Sequence, residues 1–283
     1  MIIQDATVGS IHREIVRAKR ARVAGPTGTS TQAIILSAGR GSRLLPLTEK
    51  IPKALVAIGG RPILAWQLDA LAAAGVSRAC VIVGFGAETI DDALPKIAPG
   101  GMRVHTLCNP FYDVADNLIS CWAARAEMAS DFFIVNGDTL FEPAVVERLL
   151  TSPPAPVTVA VRRKASYDAD DMKVEQDESR LLHIGKTLPL ETANAESIGV
   201  MLFRGSGPRL FQDALEAAVR DPAAKRLWYP SLVDRLAGAG HVRVAHVDGL
   251  ATAEVDFPED LAAAEVVATQ LHLGERTALA AAK

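Results

Sequence analysis

The sequence predicts an α/β fold: a mixed, mostly parallel sheet flanked by helices, with a smaller β-rich part after it. Three observations predict this. From Gln32 onward, short apolar runs alternate with helical patterns, which is the rhythm of βαβ units. Beyond Pro153 the rhythm changes to several strands with no long helices between them. The chain has 283 residues, 49% hydrophobic and 22% charged, which is enough apolar material for a sizeable core and excludes a disordered chain.

The elements follow in order. "AIILSAG" (Ala33 to Gly39) is a compact buried strand ending in small residues. "PILAWQLDALAAAG" (Pro62 to Gly75) is a helix with proline at its start and glycine at its end, the expected asymmetry. "RACVIVGF" (Arg78 to Phe85) is a second strand, and "AETIDDALPKI" (Ala87 to Ile97) is a helix that Pro95 ends or kinks. "MRVHTLCN" (Met102 to Asn109), helical "NLISCWAARAEM" (Asn117 to Met128) and "DFFIVNGD" (Asp131 to Asp138) complete the alternating part. Then come strands in "APVTVAVRR", "DMKVEQ", "RLLHIG" and "SIGVMLFRG". A helix over Pro208 to Arg220, another over Pro230 to Ala237, the strand "HVRVAHV" and a closing helix from Pro258 to Leu271 end the chain. In open sheets of this class ligands sit at the carboxyl ends of the strands, where Gly39, Gly84, Asn109 and Asp138 stand.

Composition narrows the function classes. A net charge of −3 speaks against a broadly basic nucleic-acid surface. No apolar run long enough to span a membrane occurs without charge, so no membrane partner is expected. Cys80, Cys108 and Cys121 form no C-x-x-C, which argues for a reducing, cytoplasmic setting and against a disulfide frame or a zinc site. The histidines also lack metal-ligand spacing. Residues 1–31 read as an extension and linker, 32–271 as the main domain and 272–283 as a tail. The extension has basic "IHREIVRAKRARV" (Ile11 to Val23) as an amphipathic helix and no apolar core of a secretory signal.

The segment "LSAGRGSRLLPLTEKIPKAL" (Leu36 to Leu55) carries the chemistry. A dinucleotide fingerprint fails because Leu44 fills the third glycine's place and Pro46 interrupts the helix that should follow; nothing fits a P-loop. What remains is a strand, a small-residue turn and a long extended loop with Arg40, Arg43, Lys50 and Lys53. Backbone N–H groups from Ala38 to Ser42 can cradle phosphate oxygens, and Arg43 offers a planar fork. Pro52 is expected to hold Lys53 on an extended segment. Convergent cations on one loop suit a triphosphate.

The same segment resembles the signature loop of the sugar-phosphate nucleotidylyltransferases, L-x-A-G-x-G-x-R-L-x-P-L-T-x-x-x-P-K-x-L. Leu36, Ala38, Gly39, Gly41, Arg43, Leu44, Pro46, Leu47, Thr48, Pro52, Lys53 and Leu55 all match. The resemblance implies a Rossmann-like fold of the nucleotide-diphospho-sugar transferase type, with the β-rich part on the substrate side. It also implies that Arg43 and Lys53 are catalytic, and that Leu36, Ala38, Gly39 and Gly41 contact nucleotide. Asp138 in "VNGDTLF" and Asp256 in "EVDFPEDL" would hold Mg²⁺; Phe257 replaces the threonine usual there. "NPFYDVADNLISCW" (Asn109 to Trp122), "DDMKV", "IGK" and "ESIGVMLF" are similar to the phosphocholine cytidylyltransferase-like branch.

That branch implies CTP as donor and a small phosphorylated or phosphonate amine as acceptor. Gly84, Phe85 and the turn from Asn117 to Ser120 would meet the pyrimidine, and Lys186 a phosphate. For the acceptor's cation, Trp228 and Tyr229 are the candidate aromatic faces, and Asp170 and Asp171 the candidate carboxylates. Two alternatives stay open: a sugar-1-phosphate nucleotidylyltransferase using CTP or another NTP, and a catalytically silent nucleotide-binding protein. Oligomeric state stays open too, a homodimer included.

Overall fold

The structure is a computed structural model; it describes residues 31–281, with side chains as far as residue 273. The expected amphipathic segment Ile11 to Val23 lies outside the described residues.

Among the described residues a nine-stranded sheet forms the centre, in the order β5 (Arg103–Cys108), β4 (Arg78–Val83), β1 (Gln32–Ser37), β6 (Phe132–Asn136), β11 (Ala195–Phe203), β8 (Val157–Arg162), β12 (Val242–His246), β10 (Arg180–Gly185) and β9 (Lys173–Asp177). Strands β1 (Gln32–Ser37), β4 (Arg78–Val83), β5 (Arg103–Cys108) and β6 (Phe132–Asn136) are parallel neighbours. Helices α1 (Ile63–Ala73), α2 (Ala87–Ile97) and α3 (Asn117–Ala123) connect them. Ala33, Ile34 and Ile35 are fully buried, as a strand covered on both faces requires. The polarity then reverses. Strand β11 (Ala195–Phe203) is antiparallel to β6 and to β8 (Val157–Arg162). Strand β12 (Val242–His246) runs parallel to β8. Strands β9 (Lys173–Asp177) and β10 (Arg180–Gly185) form a hairpin, and β9 also touches the start of β11. The mixed, mostly parallel sheet and the later β-rich part are therefore both present.

Alternate strand residues feed two core layers. Ile34, Ile82, Ile134 and Phe203 face α3, α5 (Gly207–Ala218) and α6 (Pro230–Gly238). Ala33, Ile35, Val81 and Val135 face α1, α2 and α4 (Pro143–Thr151). A third cluster joins Leu44 of the loop, Ile58, Trp66 and the closing helix α7 (Asp260–Ala281). It covers the small hairpin of β2 (Ala57–Ile58) and β3 (Arg61–Pro62), which Trp66 fastens by donating its indole N–H to Ile58 O at 2.9 Å.

Several local expectations are corrected. The helix expected from Asn117 to Met128 ends at Ala123 and continues only as a 3₁₀ turn over Arg125–Glu127. The closing helix starts at Asp260, not Pro258, because the Asp260 carboxylate accepts from the N–H groups of Asp256 and Phe257 at 2.8 and 2.7 Å. It runs on to Ala281. The loop from Leu36 to Leu55 is not uniformly extended: Ser42–Leu44 and Lys53–Leu55 are 3₁₀ turns. Pro52 is extended as expected, but Lys53 itself begins the second turn. Among the described residues, no helix is long and apolar enough to cross a membrane.

Candidate active site

The signature loop is fixed from within. Gly41 has φ +69°, and a Cβ there would lie 2.9 Å from Lys53 Cβ. Glycine thus supplies both the left-handed backbone and the space for the lysine stem. Buried Thr48 donates its hydroxyl hydrogen to Gly41 O at 2.7 Å, and Leu44 anchors the first turn in the core.

Asp138 and Asp256 meet through a short ladder. Strand β7 (Thr139–Phe141) pairs antiparallel with β13 (Thr252–Glu254), Thr139 opposite Glu254. The residues just outside that pairing, Asp138 and Val255–Asp256, are therefore neighbours; Val255 N donates to Asp138 O at 3.0 Å. Fully buried Gln67 braces the same turn, its amide donating to Asn136 O at 2.7 Å and Thr139 O at 2.9 Å.

Lys53 Nζ reaches Asp138 Oδ2 at 2.9 Å and bonds Asp256 Oδ1, while Arg43 Nη1 reaches Asp256 Oδ2 at 3.2 Å. Burial works against the Lys53 charge, but Asp138 and Asp256 outweigh it and raise the ammonium above its usual range. Asp256 shows the reciprocal balance: burial opposes its charge, and Lys53 and Arg43 still hold its carboxyl below the usual range. Glu254 joins them, one carboxylate oxygen of each of Asp138, Glu254 and Asp256 lying within 4.8 Å of the others. Glu254 keeps part of its surface open to solvent, yet its carboxyl is crowded by protein and faces two like charges. That burial first, then Asp138 and Asp256, push it up to about 8. An all-oxygen set of this kind suits a hard divalent cation.

Arg43, Lys53, Asp138 and Asp256 open onto a cleft of about 400 Å³ lined by Leu36, Ala38, Gly39, Gly41, Asn117, Ser120 and Trp228 as well. A second, adjoining cavity of about 200 Å³ is lined by Asn136, Asp170, Lys186, Tyr229 and Glu254, and shares Arg43, Asp138 and Asp256 with the first. Lys186 Nζ stands 4.6 Å from the Trp228 ring centre and 3.8 Å from Asp170.

Other expected site residues are placed differently. Gly84 and Phe85 do not line either cavity. A Cβ at Gly84 would lie 2.5 Å from Tyr112 Cβ and 2.7 Å from Ala38 O, so Gly84 lets Tyr112 close against the loop. Phe85 N donates to Ala38 O at 3.0 Å, and its ring carries the Arg40 guanidinium at 5.0 Å. Both shape the loop from behind. Tyr229 offers no open aromatic face: it is fully buried and its hydroxyl donates to Asn136 Oδ1. Asp171 is taken by Lys164 at 2.7 Å, which also holds Glu196. Asn117, which does line the larger cleft, is the first residue of its helix, and its Oδ1 accepts from Tyr229 N at 3.0 Å. Asn109 Nδ2 donates to Ser120 Oγ at 3.0 Å, which ties the strand end to the helix.

Sequence reasoning missed Glu254, Gln67 and Asn136. Glu254 was findable, because i and i+2 on an extended segment share a face and Asp256 was already singled out. Gln67 carries no sequence signal, being one polar residue inside an apolar helix.

The comparisons bear on this geometry. Residues 33–243 match the MobA-like NTP transferase domain. The chain belongs to that family. A CMP-5'-(3-aminopropyl)phosphonate synthase from Streptomyces rubellomurinus is 34% identical over 84% of this chain. The chain spans only 38% of that relative's length. A 2-aminoethylphosphonate cytidylyltransferase from Lancefieldella rimae is 24% identical over 85% of this chain and 94% of its own length. Among solved structures, the inositol-1-phosphate CTP transferase from T. maritima superposes with a TM-score of 0.71 at 20% identity, covering 86% of this chain and 98% of that one. The CTP:phosphocholine cytidylyltransferase from Streptococcus pneumoniae gives 0.68 at 22% identity, covering 84% and 99%. At such identities the two structures establish the fold, as the signature loop implied.

Proposed function

We propose that this NTP transferase is a cytidylyltransferase: it joins CMP from CTP to a small phosphonate amine and releases pyrophosphate. The observation that carries the proposal is the convergence of Lys53 and Arg43 on Asp138 and Asp256, between two adjoining cavities. The larger suits a nucleotide against the glycine turn. The smaller suits an acceptor of a few heavy atoms.

In this reading an acceptor oxygen attacks the α-phosphorus of CTP, the new P–O bond forms in line, and the bond to pyrophosphate breaks. The acceptor is already an anion near neutral pH, as phosphoryl groups with a second pKa near ~6 are, so no general base is required. Asp138 and Asp256, with Glu254 in reach, would hold Mg²⁺, which neutralises triphosphate charge when bound. Lys53 stabilises the oxygens around the α-phosphate. Arg43 forks onto the departing phosphates, and N–H groups of the Gly39–Ser42 turn cradle them. All of this is positioning and charge neutralisation.

The second cavity favours a primary amine. A quaternary ammonium wants an open aromatic face, but the Trp228 ring already carries Lys186 and Tyr229 is buried. The Asp170 carboxylate lines the same cavity and suits a primary ammonium, which would leave Lys186 for the phosphonate. The two aminoalkylphosphonate relatives support the same choice.

The test is pyrophosphate release with CTP, UTP, GTP and dTTP, each against 2-aminoethylphosphonate, 3-aminopropylphosphonate, phosphocholine and glucose 1-phosphate. Turnover should be best with CTP and an aminoalkylphosphonate. Turnover confined to the sugar phosphate, or tight CTP binding without turnover on any acceptor, would reject the proposal.

A further inference from the structure

A second cluster of ligating side chains lies away from the clefts, at the β5 edge of the sheet. Neighbouring strands β4 and β5 are parallel, and their register sets Cys80 opposite His105. Glu127, from the 3₁₀ turn after α3, joins them. One ligand atom of each, a thiol sulfur, an imidazole nitrogen and a carboxylate oxygen, lies within 4.8 Å of the others. His105 Nε2 is 3.3 Å from Glu127 Oε1. The other Glu127 oxygen is held by Gln32 Nε2, which donates to it at 2.6 Å.

We propose that Cys80, His105 and Glu127 form a binding site for a borderline-soft divalent ion of the zinc class, distinct from the all-oxygen site at Asp138 and Asp256. The donor set carries the argument. Sulfur, nitrogen and one carboxylate oxygen are what zinc takes and what Mg²⁺ refuses. In a tetrahedral zinc site ligand atoms stand roughly 3.3–3.8 Å apart, so side-chain shifts of about 1 Å close the cluster. Two ligands are fixed by strand register and the third by Gln32, the kind of outer hydrogen bond that orients metal ligands. His105 is half exposed and Cys80 is buried, so the ion would enter from the His105 side, with water completing the coordination.

Charge is consistent with uptake. The hydrogen bond from His105 first, then that from Gln32, with Arg78 contributing charge, hold Glu127 at about 2, so it is a ready anion. Burial, and then Glu127, raise the Cys80 thiol, so it keeps its proton until the ion arrives. As the sulfur–metal bond forms, that proton leaves to solvent, and His105 binds through neutral Nε2. Uptake therefore releases protons and tightens with rising pH. The sequence spacing of cysteines and histidines gave no hint of this site, because the pairing is made across strands.

Co²⁺ is the probe, added to the full chain carrying Cys108→Ser to remove the exposed thiol, with Mg²⁺ in excess. Expected are one equivalent bound, tetrahedral visible bands and a thiolate-to-cobalt charge-transfer band. Cys80→Ser should abolish that band, and His105→Ala should weaken Co²⁺ binding at least ~10-fold. Zn²⁺ should raise the unfolding midpoint by about 3–6 °C, and less so in His105→Ala. Because His105 is at the surface, its variant stays informative even where Cys80→Ser fails to fold. Cobalt bound without a thiolate band, or a band unchanged in His105→Ala and Glu127→Gln, overturns the proposal.

Discussion

Lys53 stands where the two aspartates would otherwise repel each other, within hydrogen-bonding reach of both. Two consequences follow for its removal. Lys53→Met should lower kcat by at least ~10³-fold, since charge stabilisation of this kind is worth several kcal/mol. The same change should tighten Mn²⁺ binding by about 10-fold in the absence of nucleotide, because the carboxylates lose their internal counter-charge; paramagnetic resonance of free Mn²⁺ measures this. Unchanged Mn²⁺ affinity would mean that lysine and ion do not share the carboxylates. Gln67 is the complementary case, a residue that acts only by holding the turn. Gln67→Leu leaves two buried carbonyls without a donor, at a cost of about 2–3 kcal/mol. It should raise the Mg²⁺ concentration needed for half-maximal rate about 10-fold while leaving the KM for CTP at saturating Mg²⁺ unchanged.

At the scale of elements, the alternating part was legible because buried parallel strands read as short apolar runs and their helices carry end signals. The β7–β13 ladder was not legible. Each strand has three residues, too short for periodicity to register, and pairing across so much chain leaves no local trace. Yet that ladder is what brings Asp138 to Asp256: the resemblance implied that the two meet at one ion, and no local pattern showed how the chain brings them there. Likewise Gly84 and Phe85 stand at a strand end, where ligands usually bind, but contacts with Tyr112 and Ala38 take up that space. The turn bearing Glu127 allows a pH test. Its carboxyl is held at about 2 in the folded chain by His105, Gln32 and nearby charge. A depressed acid stabilises the fold above its unfolded pKa of about 4.3 and loses that contribution as pH falls toward 2. Glu127→Gln should therefore lower the urea midpoint at pH 7, and the difference from wild type should shrink steadily between pH 4.5 and pH 2. A difference independent of pH would assign the loss to packing.

Taken whole, the molecule separates stability from chemistry. Phe132, Phe203 and Phe211 pack with ring centres 4.6 to 6.4 Å apart in one core layer, and none of the three lines either cleft. Phe203→Ala should cost about 3–5 kcal/mol in unfolding free energy and leave the KM for CTP within twofold wherever the chain stays folded; calorimetry and initial rates check the two halves. The short ladder has a broader meaning for design. A handful of paired residues sets both acidic groups, while the chain threaded between them, from α4 through β12, supplies inner strands of the central sheet and the Trp228 that lines the larger cleft. Retuning the proposed acceptor site should therefore go through single lining residues such as Asp170 and Lys186, which leave both the sheet and the acidic pair in place.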